Sequence, residues 1–199
     1  MQLTIAIIGA GPLGRRLALA AARAGFRVLL EDVMPANLHH CQELIRQELG
    51  PAALDAVTFA STIEDAVRSA DLVIDCVPDE LESKLEILWL LDRMAPPHTI
   101  FATPTTNLSI ADLASCTYRP DKCVAIGVAP SDLVPFRLEP TALASLPLYT
   151  TRATARETVA LLDQFWRTLG FDPVFRPAPS DSTQAAAAQA EAGLETREQ

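Results

Sequence analysis

Short apolar runs alternate along this chain with longer segments in which apolar residues recur every three or four positions. LTIAII (3–8), FRVLLED (26–32), AVTFAST (56–62), DLVIDCVP (71–78), TIFATP (99–104) and KCVAIGVA (122–129) read as strands. LPLYTT (146–151) and DPVFRP (172–177) read as two more. Between them lie helical patterns. Leu13, Leu17, Ala21 and Ala24 share one face, and Gly25 stops that helix. Residues 35–49 form the next helix, and TIEDAVRSA (62–70) is a short one with Ser61 or Thr62 as N-cap. ELESKLEILWLLDRMA (80–95) is amphipathic and closed by Pro96-Pro97; SIADLAS (109–115) takes Ser109 as its cap. A last helix spans about 154–169. Strands that are apolar throughout, separated by helices, predict an α/β fold of Rossmann type. Its doubly wound, mostly parallel sheet is covered by helices on both faces. From Pro177 the chain turns Pro-, Ala- and Gln-rich with little apolar face to dock. The expected division is therefore a domain over 1–176 and a loose tail over 177–199.

The first strand runs into Gly9-x-Gly11-x-x-Gly14, which opens the first helix through Pro12 and Leu13. That context turns a weak motif into a phosphate loop. The first glycine permits the turn, the second lets a pyrophosphate approach the backbone, and the third lets helix and strand pack closely. Glu31 and Asp32 stand at the end of the second strand, about 20 residues on, where an acid accepts bonds from the adenosine ribose and favours NAD over NADP. Arg15 and Arg16 directly after the loop oppose the helix dipole and read as solvated side chains.

Ligands of a doubly wound sheet lie outside the carboxyl ends of its strands. There the sequence offers Pro78, Asp79 and Glu80 with Lys84 a turn further, then Thr103 to Asn107, then Ala129 to Asp132 and later Glu139. His98 precedes its strand and belongs at the other end of the sheet. His39 and His40 fall near the adenosine end.

Composition narrows the classes. The 199 residues carry 16 basic and 25 acidic side chains, a formal charge of −9. An acidic surface with no basic, aromatic-laced patch argues against nucleic acid or membrane partners. Cys41, Cys76, Cys116 and Cys123 are scattered without C-x-x-C spacing, so reduced thiols of a cytoplasmic protein are expected, with no metal site. The apolar start is too short for a signal peptide, and no run reaches membrane-spanning length.

These features together resemble the NAD-binding domain of the L-3-hydroxyacyl-CoA dehydrogenase family over about residues 3–175. VLLEDVMPANL is similar to the family's second strand, its ribose-binding acid matching Asp32. ADLVIDCVPDELESKLEIL resembles the family's ADLVIEAVPEDLELK, which matches Asp79 and Lys84 to an acid and a lysine near the nicotinamide. PPHTIFATPTTNLSIADLA resembles HTIFASNTSSLSI and sets Thr106 at the family's catalytic serine. The resemblance implies NAD as cofactor, an acyl-CoA or a smaller hydroxy or keto compound as substrate, and a place in fatty-acid metabolism. It implies cofactor contacts from Gly9, Gly11, Pro12, Leu13, Gly14, Asp32, Val77, Pro78, Asp79, Lys84 and Thr105.

The family's GxHFFNPVPVMKLVE signature meets KCVAIGVAPSDLVPFRLEP. Carried over without gaps from Thr106, its general-base histidine falls on Gly127 and its orienting glutamate on Glu139. Thr106 and Glu139 are then the remaining candidate catalytic groups. The segment between strands two and three is short, and the sequence ends where the family's helical domain begins. The expectation is a stand-alone NAD(H)-binding protein of this family without ordinary dehydrogenase activity. The alternatives are an oxidoreductase of altered mechanism and an interaction module that reports NAD occupancy.

Overall fold

The computed structural model describes residues 2–127 and 144–178. Its strands are β1 (Thr4–Ile8), β2 (Arg27–Glu31), β3 (Val57–Ala60), β4 (Leu72–Asp75), β5 (Ile100–Pro104), β6 (Cys123–Ile126), β7 (Ala144–Thr150) and β8 (Phe171–Pro177). The helices are α1 (Pro12–Arg23), α2 (Pro35–Leu49), α3 (Ile63–Val67), α4 (Leu81–Met94), α5 (Ile110–Ser115) and α6 (Arg156–Thr168). One sheet holds every strand in the order β3-β2-β1-β4-β5-β6-β7-β8. The first six reproduce the 3-2-1-4-5-6 order of a dinucleotide-binding fold, all parallel. β7 runs antiparallel to β6, and β8 returns parallel to β7 across α6. The predicted Rossmann architecture is the one observed. The expected domain boundary at 176 falls inside β8.

Alternation along the strands feeds two apolar layers. Ile5 and Ile7 face the layer under α1, α2 and α6, while Ala6 and Ile8 face the layer under α3, α4 and α5. β1, β4, β5 and β6 are buried on both faces, as their unbroken apolar runs require. Thr62 and Ser109 cap α3 and α5, accepting from Asp65 N and Asp112 N. No helix among the described residues is long and apolar enough to cross a membrane.

Arg119 closes the C-terminus of α4. Its Nε donates to Asp92 Oδ1 at 2.7 Å, Nη2 to Asp92 O at 2.7 Å, and Nη1 to Pro96 O. The guanidinium lies 5.1 Å above the Phe101 ring. Asp92 also accepts from Tyr118 N at 2.9 Å. Both charges are largely buried, so losing one strands the other. Arg119→Ala should lower stability by about 3 kcal/mol in urea unfolding, and Arg119→Lys should recover only part because it lacks the planar fork.

Candidate functional site

The phosphate loop is built by close approach. Gly9 has φ +100°, and a Cβ on it would meet Cys76 O at 3.0 Å. Its N–H donates to Glu31 O at 2.8 Å, which ties the loop to the end of β2. A Cβ on Gly14 would lie 1.8 Å from Gly9 O, so only glycine lets α1 sit against the turn. Gly11, the N-cap of α1, is different: nothing lies within 4 Å of where its Cβ would stand. That open side faces a groove of about 790 Å³ lined by Gly9, Gly11, Pro12, Leu13, Glu31, Asp32, Asn37, Cys76, Val77, Pro78 and Asp79, among others. Pro12 begins α1, where its missing N–H removes nothing from the helix.

At the β2 end of the groove, Asp32 is half-buried and fully engaged. Oδ2 accepts from Ala10 N at 2.6 Å and Oδ1 from Met34 N at 2.7 Å. Asn37 Nδ2 stands 3.1 Å from each oxygen. Glu31 beside it is buried, and burial, with the Asp32 charge second, raises its pKa above the usual carboxylate value. Two acids at this end make it hostile to an additional phosphate.

At the other end, Val77, Pro78 and Asp79 form the wall after β4. Asp79 Oδ2 accepts from Thr106 N at 3.3 Å, joining the loops after β4 and β5. Thr106 is exposed at the ligand edge, while Thr105 is buried and its hydroxyl accepts from Leu108 N at 3.1 Å. Lys84, expected near the cofactor, is instead 0% exposed and closed off from the groove. Its ammonium pairs with Asp75 Oδ1 at 2.5 Å, in the interior behind Cys76 and Val77. Burial raises the pKa of Asp75 and the Lys84 charge opposes that shift. Asp79 Oδ1 is buried without a hydrogen-bond partner among the described residues.

Gly127 follows β6, and its N–H donates to Pro147 O at 2.8 Å. β7 therefore sets Pro147, which has no carboxylate, opposite the position where the resemblance puts the family's histidine. A Cβ on Gly127 would fall 2.1 Å from Tyr149 Cε2, because the Tyr149 ring fills that space. Glu139 and Asp132 lie outside the described residues. His98 sits at the far end of the sheet, 3.5 Å from Asp71. His39 and His40 are exposed on α2. Arg15 and Arg16 line a separate surface cleft between α1 and α2 with His40, Glu43 and Glu48.

Residues 4–176 match the 3-hydroxyacyl-CoA dehydrogenase, NAD binding domain. The chain belongs to that family. A probable 3-hydroxybutyryl-CoA dehydrogenase of Bacillus subtilis (strain 168) is 30% identical over 177 residues, 82% of this chain and 60% of that protein. The mitochondrial hydroxyacyl-coenzyme A dehydrogenase of Sus scrofa is 28% identical over 189 residues, 85% of this chain and 57% of the relative. The chain thus spans somewhat over half the length of these relatives. Among solved structures, a 3-hydroxyacyl-CoA dehydrogenase from Archaeoglobus fulgidus superposes with a TM-score of 0.75 at 26% identity, over 99% of this chain and 64% of that one. A (S)-3-hydroxybutyryl-CoA dehydrogenase from Ralstonia eutropha, at 23% identity and TM-score 0.78, shares the fold.

The family's cofactor is NAD, and the glycine loop, the acid and the groove fit a dinucleotide. The sequence reading missed Asp75, Asn37 and Tyr149, and set Lys84 at the cofactor rather than in the interior. Asp75 and Lys84 were findable as a pair, because Lys84 shares the buried stripe of Ile87, Leu88 and Leu91. Asn37 and Tyr149 carry no such signal.

Two glycines should separate stability from binding. Gly14→Ala should cost about 3 kcal/mol or more in urea unfolding, as a clash with backbone does. Gly11→Ala should keep its melting temperature yet weaken NADH binding about tenfold or more in a calorimetric titration. Lys84→Met should cost about 4 kcal/mol at neutral pH by leaving Asp75 buried without its partner. With Lys84 gone, the folded-state pKa of Asp75 rises further above its unfolded value. The fold then holds a proton that the unfolded chain releases, so stability falls as pH rises through that window. The deficit against the unsubstituted protein should therefore shrink in acid, as urea curves across pH would record.

Proposed function

We propose that this chain binds NAD(H) in the groove above β1, β2 and β4, and does not by itself carry out the ordinary 3-hydroxyacyl-CoA dehydrogenase reaction. The cofactor-holding unit is residues 1–176. The amides around Gly9 to Leu13 receive the pyrophosphate at the start of α1, Asp32 takes the adenosine ribose, and Val77, Pro78 and Asp79 flank the nicotinamide end. Thr105 acts from below by fixing the loop after β5, and Lys84 acts through Asp75 on the wall after β4. Bound NAD would supply a hydride acceptor or donor at its nicotinamide ring.

The observation that carries the reading lies at residue 127. A base in that position typically contributes about 10²–10⁴-fold to such a reaction. Here the place belongs to the Tyr149 ring, and Pro147 stands across from it. A second reading keeps an oxidoreductase of altered mechanism on an acyl-CoA or a smaller hydroxy or keto compound. It is favoured only by Thr106, whose hydroxyl is exposed at the ligand edge next to Asp79.

Calorimetric titration with NADH, then acetoacetyl-CoA, decides between them. NADH should bind, and NADH absorbance should stay constant after the second addition; a steady fall would establish turnover and refute the first reading. Asp32→Ala should weaken NADH binding and narrow the preference over NADPH. Gly127→His should lower the melting temperature, and adding Tyr149→Ala to it should restore much of the loss.

A further inference from the structure

The Asp32 carboxylate poses a problem for any dinucleotide. A carboxylate offers about four acceptor positions, two on each oxygen. In this protein all four have a donor: Ala10 N on Oδ2, Met34 N on Oδ1, and Asn37 Nδ2 on both. The adenosine ribose needs two of them, because its vicinal hydroxyls donate one to each oxygen of such an acid.

The donors are not equally free to leave. Ala10 N belongs to the turn held by the Gly9 N to Glu31 O bond, and Met34 N precedes α2. Releasing either amide means moving backbone. Asn37 is anchored through its own N–H, which donates to Met34 O at 2.9 Å, so its backbone stays while its carboxamide can change rotamer. It lies in the first turn of α2 and lines the groove. Its nitrogen is equidistant from the two oxygens, at 3.1 Å from each, which is the bridging position a ribose diol takes.

We propose that Asn37 is a placeholder for the adenosine ribose. Its carboxamide occupies the diol's position on Asp32 in the free protein and leaves it when NAD(H) enters, so that binding is an exchange of one donor for another. This rests on the proposed binding of NAD(H) in the groove. Asn37 keeps the acid oriented towards Ala10 and satisfied while the site is free, and lowers affinity for the cofactor in return. The exchange applies to a free diol. A ribose bearing a 2′-phosphate has no such pair of hydroxyls and gains nothing when the position is opened.

The test is a calorimetric titration of the unsubstituted protein and of Asn37→Ala with NADH and with NADPH. Alanine in the first turn of α2, at a half-buried position outside the core, leaves folding intact, and a melting curve checks this. Asn37→Ala should bind NADH about fivefold more tightly, the worth of one ordinary hydrogen bond, with NADPH affinity unchanged. NADH affinity that is unchanged or weaker in Asn37→Ala overturns the placeholder. So does an equal change for both nucleotides, which is what a purely structural role for Asn37 would give. Failure of the unsubstituted protein to bind NADH would instead remove the groove assignment, and the placeholder with it.

Discussion

Everything at the ligand edge depends on one close approach. The backbone of Gly14 sits so near the carbonyl of Gly9 that a single added carbon would overlap it. This lets the start of α1 lie directly on the turn after β1. Because the turn is pressed there, Gly9 N reaches the end of β2 and Ala10 N reaches Asp32. The phosphate loop, the acid and the first turn of α2 therefore form one hydrogen-bonded assembly, and the groove is its outer surface.

The two ends of that groove differ in kind. The end at β2 is held by backbone amides and short polar contacts at the surface. The wall towards β4 and β5 is held from inside by the buried Asp75–Lys84 pair and at the surface by the Asp79 bridge to Thr106. A buried ion pair adds little net stability over apolar packing, but it penalises any arrangement that separates its charges. It fixes the end of β4 against α4. Beyond β6 the register changes character, since an antiparallel strand brings Pro147 and Tyr149 to the edge that a parallel neighbour would leave to loops.

Much of this was legible in the sequence. Strands buried on both faces have no polar side, so their runs were unmistakable, and the glycine loop declared itself by its place between strand and helix. Thr62 and Ser109 capped where short polar residues precede apolar periods. Lys84 was set at the cofactor by its place after the β4 edge and by the family resemblance, although its spacing to Ile87 and Leu88 set it on the buried stripe. Asn37 lies five residues from Asp32 with no period linking them; the turn between them brings them together. Tyr149 meets Gly127 through the register of β6 and β7, and no local pattern encodes a register between strands this far apart in sequence.

The last strand has a consequence of another sort. Among the described residues β8 is the outer strand of the sheet on its side, and it contains Pro173 and ends in Pro177, with Arg176 and Pro177 exposed. Proline has no N–H to offer a passing strand, and an arginine disfavours burial. Such a border is poorly suited to templating the pairing of a second chain. At the opposite border β3 is only four residues long, too short to make a strong template. The same sheet that exposes a long row of carboxyl ends to a ligand is thus guarded along both flanks against aggregation.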